Sequence, residues 1–89
     1  MRFALICRDR PGHLQTRLDT RAAHLDYIAR TGIVEMAGPL IENGQMCGSL
    51  VVLSCDDIDQ ARAWAADDPY AHAGLFDDVT VIEWKKVIG

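Results

Sequence analysis

Hydrophobic positions change their spacing several times along the chain, and each change marks a predicted element. Residues 2–8 are a short apolar run without Gly or Pro, which is typical of a buried strand. From about residue 13 to residue 30, apolar residues recur every three or four positions, which predicts an amphipathic helix with a buried stripe. That stripe comprises Leu14, Leu18, Ala22, Leu25, Ile28 and Ala29. Gly32 then supplies the left-handed conformation that commonly ends a helix.

The next stretch predicts a β-hairpin. Residues 33–41 and 46–54 are two apolar runs, and Asn43-Gly44 between them is a strong signal for a tight turn. Gly38-Pro39 interrupts the first run. Either an edge strand bulges there for backbone reasons, or the backbone forms the wall of a pocket that a ligand approaches. The sequence leaves both interpretations open.

A second helix and a final strand complete the pattern. Ser54 or Asp56 is predicted to cap the helix, because a side-chain oxygen can accept hydrogen bonds from the first free amides. The buried stripe of this helix comprises Ile58, Ala61, Trp64 and Ala65. A residue that precedes proline avoids the helical conformation, so the helix is predicted to end at about Asp67. Residues 69–75 then form a loop or a short helical turn, and residues 79–87 form the last strand.

The order β-α-β-β-α-β predicts an α+β fold of the ferredoxin-like type in one domain over residues 1–89. Such a fold has a four-stranded antiparallel sheet with two helices on one face. The run Leu50-Val51-Val52-Leu53 is apolar at successive positions, so both faces of its strand are predicted to be buried. Two helices on one face leave the other face bare. A second copy of the same sheet is the simplest cover, which predicts a homodimer packed through its sheet faces.

Composition and charge narrow the function classes. The 89 residues are 49% hydrophobic and 25% charged, which is ordinary for a globular protein. A net charge of −4 without a basic stripe argues against a nucleic-acid partner. No apolar run reaches the roughly 20 residues that cross a bilayer, and the opening lacks a signal-peptide pattern, so we expect no membrane partner and a cytoplasmic location. Three cysteines without CxxC spacing predict neither a disulfide framework nor a zinc site.

Two residues stand out as candidates for chemistry, His24 on the first helix and Asp68 at the break that ends the second. An imidazole oriented by a carboxylate is a common general base near neutral pH. His24 belongs to a polar band beside the apolar stripe, made of Arg17, Thr20, Arg21, His24 and Tyr27. The plainer alternatives are a partly exposed histidine on an arginine-rich helix and an Asp-Pro turn that bonds its own backbone. The functional interpretation depends on whether the two side chains meet.

Positive charge is concentrated near the N-terminus. Residues 1–30 hold six Arg and three Asp, whereas residues 31–89 hold three Lys and Arg against ten Asp and Glu. The local arginines either bind a small anion or form a solvated face; they are Arg8, Arg10, Arg17 and Arg21. A metal site built from His24, Asp68 and His72 is a further alternative, because three side chains are the minimum for a catalytic zinc.

A set of fragments in order covers nearly the whole chain: the opening strand of residues 2–8, Arg21 with His24-Leu25-Asp26-Tyr27, Gly32, Gly38-Pro39-Leu40, Gly48-Ser49, Asp68-Pro69-Tyr70 and Ala73-Gly74-Leu75. Together these fragments resemble the YCII-related (YciI-like) family of small dimeric α+β-barrel proteins. The ending Val81-Ile82-Glu83-Trp84 departs from the Pro-aromatic ending of the family. The resemblance implies a ferredoxin-like fold, a homodimer formed through the sheets, and an active site whose His-Asp pair corresponds to His24 and Asp68. It does not settle the reaction, because related barrels include lactone isomerases and monooxygenase-like enzymes.

The leading hypothesis is a cofactor-independent isomerase or lyase that acts on a small cyclic or aromatic metabolite. His24 removes a proton, while Asp68 orients the imidazole and stabilises its charged form. The residues predicted to bind the substrate are Arg8, Arg21, Gly38, Pro39, Ser49 and Tyr70, one arginine holding an anionic substituent or developing oxyanion. The alternative is a non-catalytic dimer that binds a small ligand or serves as a regulatory module. In that case exchange of His24 or Asp68 leaves ligand binding nearly unchanged.

Overall fold

Four antiparallel strands form one sheet, in the computed structural model that describes residues 1–89. The elements are β1 (Arg2–Asp9), α1 (Leu14–Thr31), β2 (Val34–Glu42), β3 (Gln45–Ser54), α2 (Ile58–Asp67), α3 (Pro69–His72) and β4 (Phe76–Trp84). The strand order is β2-β3-β1-β4. Each βαβ connection therefore skips one strand, which the antiparallel arrangement requires. The predicted ferredoxin-like α+β fold is confirmed.

Most predicted boundaries are confirmed by the backbone. Gly32 adopts a left-handed φ of 69° at the end of α1, and Asn43 and Gly44 have φ values of 51° and 75° in the hairpin turn. The predicted cap of α2 was wrong, because Asp57 rather than Ser54 or Asp56 accepts the bond from the Gln60 amide at 2.8 Å. The choice among neighbouring polar residues depends on backbone direction, and spacing alone does not give it.

The last strand lies earlier than predicted. β4 ends at Trp84, which pairs with Arg2 at the start of β1. Because β1 begins at Arg2, Lys85 to Val87 have no strand to pair with. The strand instead begins at Phe76 and includes Asp77 and Asp78, which the low strand propensity of aspartate had hidden.

The helices cover one face of the sheet. Side chains alternate along β1, so Phe3, Leu5 and Cys7 face the helices while Ala4 and Ile6 face away. The core cluster on the covered face comprises Phe3, Leu5, Cys7, Tyr27, Val51, Leu53, Ala61 and Trp64. The predicted stripe of α2 is confirmed, because Ala61 and Trp64 are buried and the other two members are partly buried against them.

The opposite face, here called the open face, has no helix over it. Cross-strand pairing places Ala4 between Val52 and Ile82 on this face. Its large exposed apolar side chains are Ile6, Met36, Leu50, Ile82 and Trp84. Contiguous exposed apolar side chains commonly mark an interaction surface. None of the helices is long and apolar enough to cross a lipid bilayer.

The predicted burial of α1 was wrong. Leu18 and Leu25 are 47% and 46% exposed, while Arg17 and His24 are only 3% and 6% exposed. The helix thus turns its polar band, not its leucine stripe, toward the sheet. The physical reason is that the buried polar groups find partners on β1, β3 and the α2–α3 junction, so their burial carries no unpaired charge. No buried side-chain nitrogen or oxygen lacks a hydrogen bond.

The backbones of β1 and β3 approach closely at Gly48, which pairs with Arg8 in the ladder. A Cβ atom at position 48 would collide with the carbonyl oxygen of Cys7. The glycine is required here by close backbone approach rather than by an unusual φ. Ser49 follows directly, so this contact also fixes where its hydroxyl lies.

Candidate active site

His24 and Asp68 meet in the protein interior. The His24 Nδ1 and the Asp68 Oδ1 are 2.8 Å apart, and both side chains are nearly inaccessible to solvent. α1 supplies the histidine, and the junction between α2 and α3 supplies the aspartate. Asp68 occupies this junction because Pro69 ends α2 and then serves as the first residue of α3.

The second partner of Asp68 fixes its direction. The Tyr70 amide donates to the same Oδ1 at 3.0 Å, so Asp68 is also the N-cap of α3. Asp68 therefore does both things that the sequence suggested: it bonds the backbone of its own turn and it pairs with His24. Because a carboxylate only accepts, the neutral His24 carries its proton on Nδ1 and leaves Nε2 with a free lone pair.

An aromatic and cationic stack holds the histidine ring. The Tyr70 ring lies 4.0 Å from the His24 ring, at an interplanar angle of 17°. The guanidinium carbon of Arg17 lies 4.6 Å from the centre of the Tyr70 ring. Burial raises the pKa of the Tyr70 hydroxyl and the Arg17 charge opposes this rise, so the phenol stays neutral. The ring of His24 is therefore restrained by packing as well as by Asp68.

Arg17 forms a buried ion pair with Asp9. Its Nε and Nη2 donate to the two carboxylate oxygens at 2.7 and 2.8 Å, a bidentate arrangement. Nη2 also donates to Ser49 Oγ at 2.8 Å. Burial disfavours the Arg17 charge, but the hydrogen bonds and charge of Asp9 outweigh it and raise the pKa of Arg17. The guanidinium is permanently charged and locally compensated.

A cavity of about 180 Å³ lies between α1 and the β2–β3 side of the sheet. Its lining comprises Arg17, Arg21, His24, Leu25, Ile28, Ala37, Gly38, Pro39, Met46, Ser49, Val51 and Tyr70. β2 continues through Gly38 and Pro39 as an edge strand, and its irregularities fall on either side of them. This pair forms part of the cavity wall, and an edge strand tolerates the proline.

The cavity gathers five of the predicted substrate-binding residues around His24, namely Arg21, Gly38, Pro39, Ser49 and Tyr70. Asp68 lies behind His24 and does not line the cavity. Arg8 lies elsewhere, because it pairs with Glu42 at 3.3 Å beside a separate surface cleft. Arg21 makes no hydrogen bond or ion pair within the chain, and it lines the cavity.

Sequence reasoning placed Arg17 in the polar band with His24 but did not name it as a site residue, and it missed Asp9. Arg17 is seven residues before His24, two helical turns along the same face, which is why the spacing brought the two together. Asp9 ends β1, and only the fold shows that it approaches α1. The expectation of a solvated arginine face fails at Arg17, which is buried.

The side chains of this chain form neither a reactive cysteine at Cys7 nor a metal site at His72. Burial, with the nearby charge of Asp68, raises the pKa of the Cys7 thiol to about 12, so this cysteine stays protonated and unreactive. His72 lies near Asp67, with 3.6 Å between Nε2 and Oδ1, on the exposed surface. His24, Asp68 and His72 do not come together, and the chain has no group of three or more His, Cys, Asp and Glu side chains placed to hold a metal.

Known proteins resemble this chain over almost its whole length. The model of the YCII-related domain matches residues 1–85. Protein YciI of Escherichia coli O6:H1 is 32% identical, over 98% of this chain and 99% of that protein. An uncharacterized protein of Haemophilus influenzae is 31% identical over the same shares.

A solved structure shares the fold and a third of the residues. It is the 5-chloro-2-hydroxyhydroquinone dehydrochlorinase (TftG) of Burkholderia phenoliruptrix AC1100, in complex with 2,5-dihydroxybenzoquinone. The TM-score is 0.88 and the identity 34%, over 96% of this chain and 94% of the dehydrochlorinase. With the domain match and the full-length relatives, this likeness leads to one conclusion: the chain belongs to the YCII-related family.

Proposed function

We propose that this protein is a cofactor-independent enzyme of the lyase or isomerase type that acts on a small aromatic metabolite of the hydroquinone class. His24 is its general base, and Asp68 orients and charge-stabilises the imidazole. The observation that carries the proposal is the buried His24–Asp68 pair, whose histidine lines a cavity. Burial of a polar pair costs free energy unless each group is hydrogen-bonded. In this pair the His24 Nε2 has no partner within the chain, so it is suited to accept a proton from a ligand.

The dimensions of the cavity favour a single ring. An engineered protein cavity of about 150 Å³ holds one benzene molecule, and the cavity beside His24 is about 180 Å³. Leu25, Ile28 and Val51 give it apolar walls, while Arg21 and Ser49 add polar contacts. The dehydrochlorinase that shares this fold acts on a one-ring chlorinated hydroquinone, which supports the same substrate class.

Dehydrochlorination of such a ring needs only proton transfers. His24 Nε2 accepts a proton from a ring hydroxyl, and the oxygen electron pair moves into the ring. His24 returns this proton to the ring carbon that bears chlorine, which gives a ketone and frees Nε2 again. Nε2 then accepts the proton of a second hydroxyl, whose electron pair moves into the ring, expels chloride with its bonding pair and yields the quinone. The sum is the loss of one proton and one chloride ion, so the chlorine leaves with the two electrons that the ring gives up.

Chloride release from 5-chloro-2-hydroxyhydroquinone under anaerobic conditions is the direct test. Exclusion of oxygen matters because hydroquinones oxidise spontaneously. We expect turnover by the wild type, and a loss of about 100- to 10,000-fold in kcat for His24→Ala, the usual contribution of a general base. His72→Ala is the matched control, because His72 is an exposed histidine that also neighbours an aspartate.

Equal rates for His24→Ala and the wild type would refute the assignment. Binding of 2,5-dihydroxybenzoquinone without turnover of any chlorinated hydroquinone would instead favour the non-catalytic binding module.

We also propose that two copies pair through the open face. Ile6, Leu50 and Ile82 are exposed there with no helix to cover them, and a self-complementary sheet face suits a two-fold dimer. Leu50→Asp should convert the dimer to a monomer in sedimentation velocity. Leu14→Glu, at an apolar residue of similar exposure on α1, should leave the mass unchanged. A monomeric wild type would contradict this pairing.

A further inference from the structure

The hydroxyl of Ser49 has one unused hydrogen. Ser49 Oγ is buried and accepts a bond from Arg17 Nη2 at 2.8 Å, and it donates to no acceptor in the protein. A serine hydroxyl has one hydrogen to donate. Ser49 also lines the cavity beside His24, so that hydrogen is available to a ligand there.

The buried ion pair makes this hydrogen a strong donor. A hydroxyl oxygen that accepts from a cation is polarised, and hydrogen bonds in a chain strengthen one another in a medium of low dielectric. Asp9 holds Arg17 through two bonds, at 2.7 and 2.8 Å, so the guanidinium cannot turn away from Ser49. Asp9 also compensates the Arg17 charge. The Arg17–Asp9 pair therefore orients the Ser49 O–H bond toward the cavity without exposing an uncompensated positive charge there.

Ser49 and His24 both line the cavity. The Tyr70 ring contacts Arg17 and His24, at 4.6 Å from the guanidinium carbon and 4.0 Å from the imidazole ring. Because Ser49 accepts from Arg17, its hydroxyl is a polar group of this cavity separate from the His24 Nε2. An aromatic ligand with two ring oxygens therefore has one partner for each of them.

We propose that Ser49 is a second catalytic residue, the hydrogen-bond donor to the phenolate oxygen of the bound ring, and that Arg17 and Asp9 are its positioning residues. The substrate is bound as its monoanion, with the ionised oxygen at Ser49 and the neutral hydroxyl at His24. His24 Nε2 then receives the proton of that second hydroxyl. The assignment rests on the proposed function of the site, and it adds a selection for ionised phenols over neutral ones.

The test compares, at one neutral pH, the binding of 2,5-dihydroxybenzoquinone, whose acidic hydroxyls are ionised, with the binding of hydroquinone, whose phenols are neutral; absorbance follows both probes. Ser49→Ala should weaken binding of the ionised probe by about 10- to 100-fold, the usual loss for a hydrogen bond to a charged group. Binding of the neutral probe should change little. Ser49→Thr keeps the hydroxyl and should restore binding. Ser54→Ala, at an exposed serine of the same strand, is the matched control.

Arg17→Lys separates positioning from packing. Lysine keeps the charge beside Asp9 but cannot bond Asp9 bidentately and reach Ser49 together. We expect the same selective loss for the ionised probe, whereas a purely structural defect would weaken both probes equally. If this variant does not fold, the Ser49→Ala and Ser49→Thr pair still decides the question.

The outcomes separate the two proposals. If His24→Ala abolishes chloride release while Ser49→Ala changes neither turnover nor the preference for the ionised probe, the role of Ser49 is overturned and the proposed function stands. If the wild type has no turnover but Ser49→Ala selectively loses the ionised probe, the donor role stands and the reaction fails. A wild type that neither releases chloride nor binds either probe would overturn both.

Discussion

The two long helices bury opposite kinds of surface. α2 turns its apolar stripe to the sheet, with Ala61 and Trp64 buried. α1 turns Arg17, His24 and Tyr27 to the sheet and leaves Leu18 and Leu25 half exposed. A helix that buries polar groups must supply a partner for each of them, whereas an apolar stripe needs only a complementary shape. α2 therefore contributes mainly apolar burial, whereas α1 contributes polar side chains, Arg17 and His24, to the lining of the cavity.

The largest expected effect comes from breaking the buried pair on α1. Asp9→Ala leaves the Arg17 cation without its carboxylate in the interior, which should cost about 3–5 kcal/mol of unfolding free energy. Urea denaturation followed by circular dichroism at a fixed protein concentration measures this. Replacing both partners with apolar residues, as in Asp9→Leu with Arg17→Met, should recover most of the loss. A double variant no more stable than Asp9→Ala would show that packing, not charge, dominates here.

A larger side chain in the buried apolar face of α2 should have a smaller effect on stability. Ala61 on α2 is fully buried in the core cluster, so Ala61→Leu should cost about 1–3 kcal/mol through overpacking. Because α2 lies outside the cavity, the affinity for 2,5-dihydroxybenzoquinone should not change in the folded fraction. Ala63→Leu, at an exposed position of the same helix, is the control. A change in affinity for Ala61→Leu alone would mean that α2 also shapes the site.

Tyr27 joins the two helices, and its exchange should have a modest effect with a characteristic pH dependence. Its hydroxyl donates to the Trp64 carbonyl at 2.8 Å, so Tyr27→Phe should cost about 0.5–1.5 kcal/mol at neutral pH. Burial, with the charges of Asp67 and Asp68, raises the pKa of Tyr27 to about 12.

The sign of the pH effect follows from this raised pKa. The unfolded tyrosine ionises near pH 10, and ionisation in the unfolded state alone favours unfolding. The stabilisation is therefore complete below about pH 10 and is lost as the pH rises toward 12. Urea midpoints across this range should fall less steeply for Tyr27→Phe than for the wild type. Parallel curves would place the alkaline loss at other groups.

The smallest effect is expected at the exposed leucines of α1. Leu18→Ser should change the unfolding free energy by no more than about 0.5 kcal/mol, the usual range for surface substitutions. Thermal melting of the two proteins side by side is sufficient. A loss of several degrees would show that this leucine is covered in solution, and the contrast between the helices would then be weaker than the single chain suggests.

Sequence patterns predicted the fold well, and of the candidate site they singled out the His24–Asp68 pair but not its surroundings. The order of the elements along the chain and the hairpin followed from periodicity and from Asn43-Gly44, because these signals are local. His24 and Asp68 were found because a histidine inside a helical pattern and an acidic pair before proline are unusual. Arg17 was misjudged for a physical reason: spacing cannot show whether an arginine has a buried carboxylate within reach. Asp9 supplies that partner only after β1 and α1 have packed together.

The leucine stripe of α1 was misread for a related reason. Periodicity measures which residues share a face, and it does not say which face the rest of the chain covers. On α2 the apolar face is also the face that the sheet covers. On α1 the buried face is chosen by paired polar groups, which a hydrophobic pattern does not record.

The close contact at Gly48 has a consequence for anyone who redesigns this protein. Any side chain at position 48 would push β3 away from the Cys7 carbonyl, and the next residue would move with it. Ser49 would then lose its alignment with Arg17 although neither residue had been altered. A library aimed at new substrates can therefore vary the cavity residues Ala37 and Leu25, but it should leave position 48 untouched. Gly48 therefore constrains the geometry of the cavity although it does not line it.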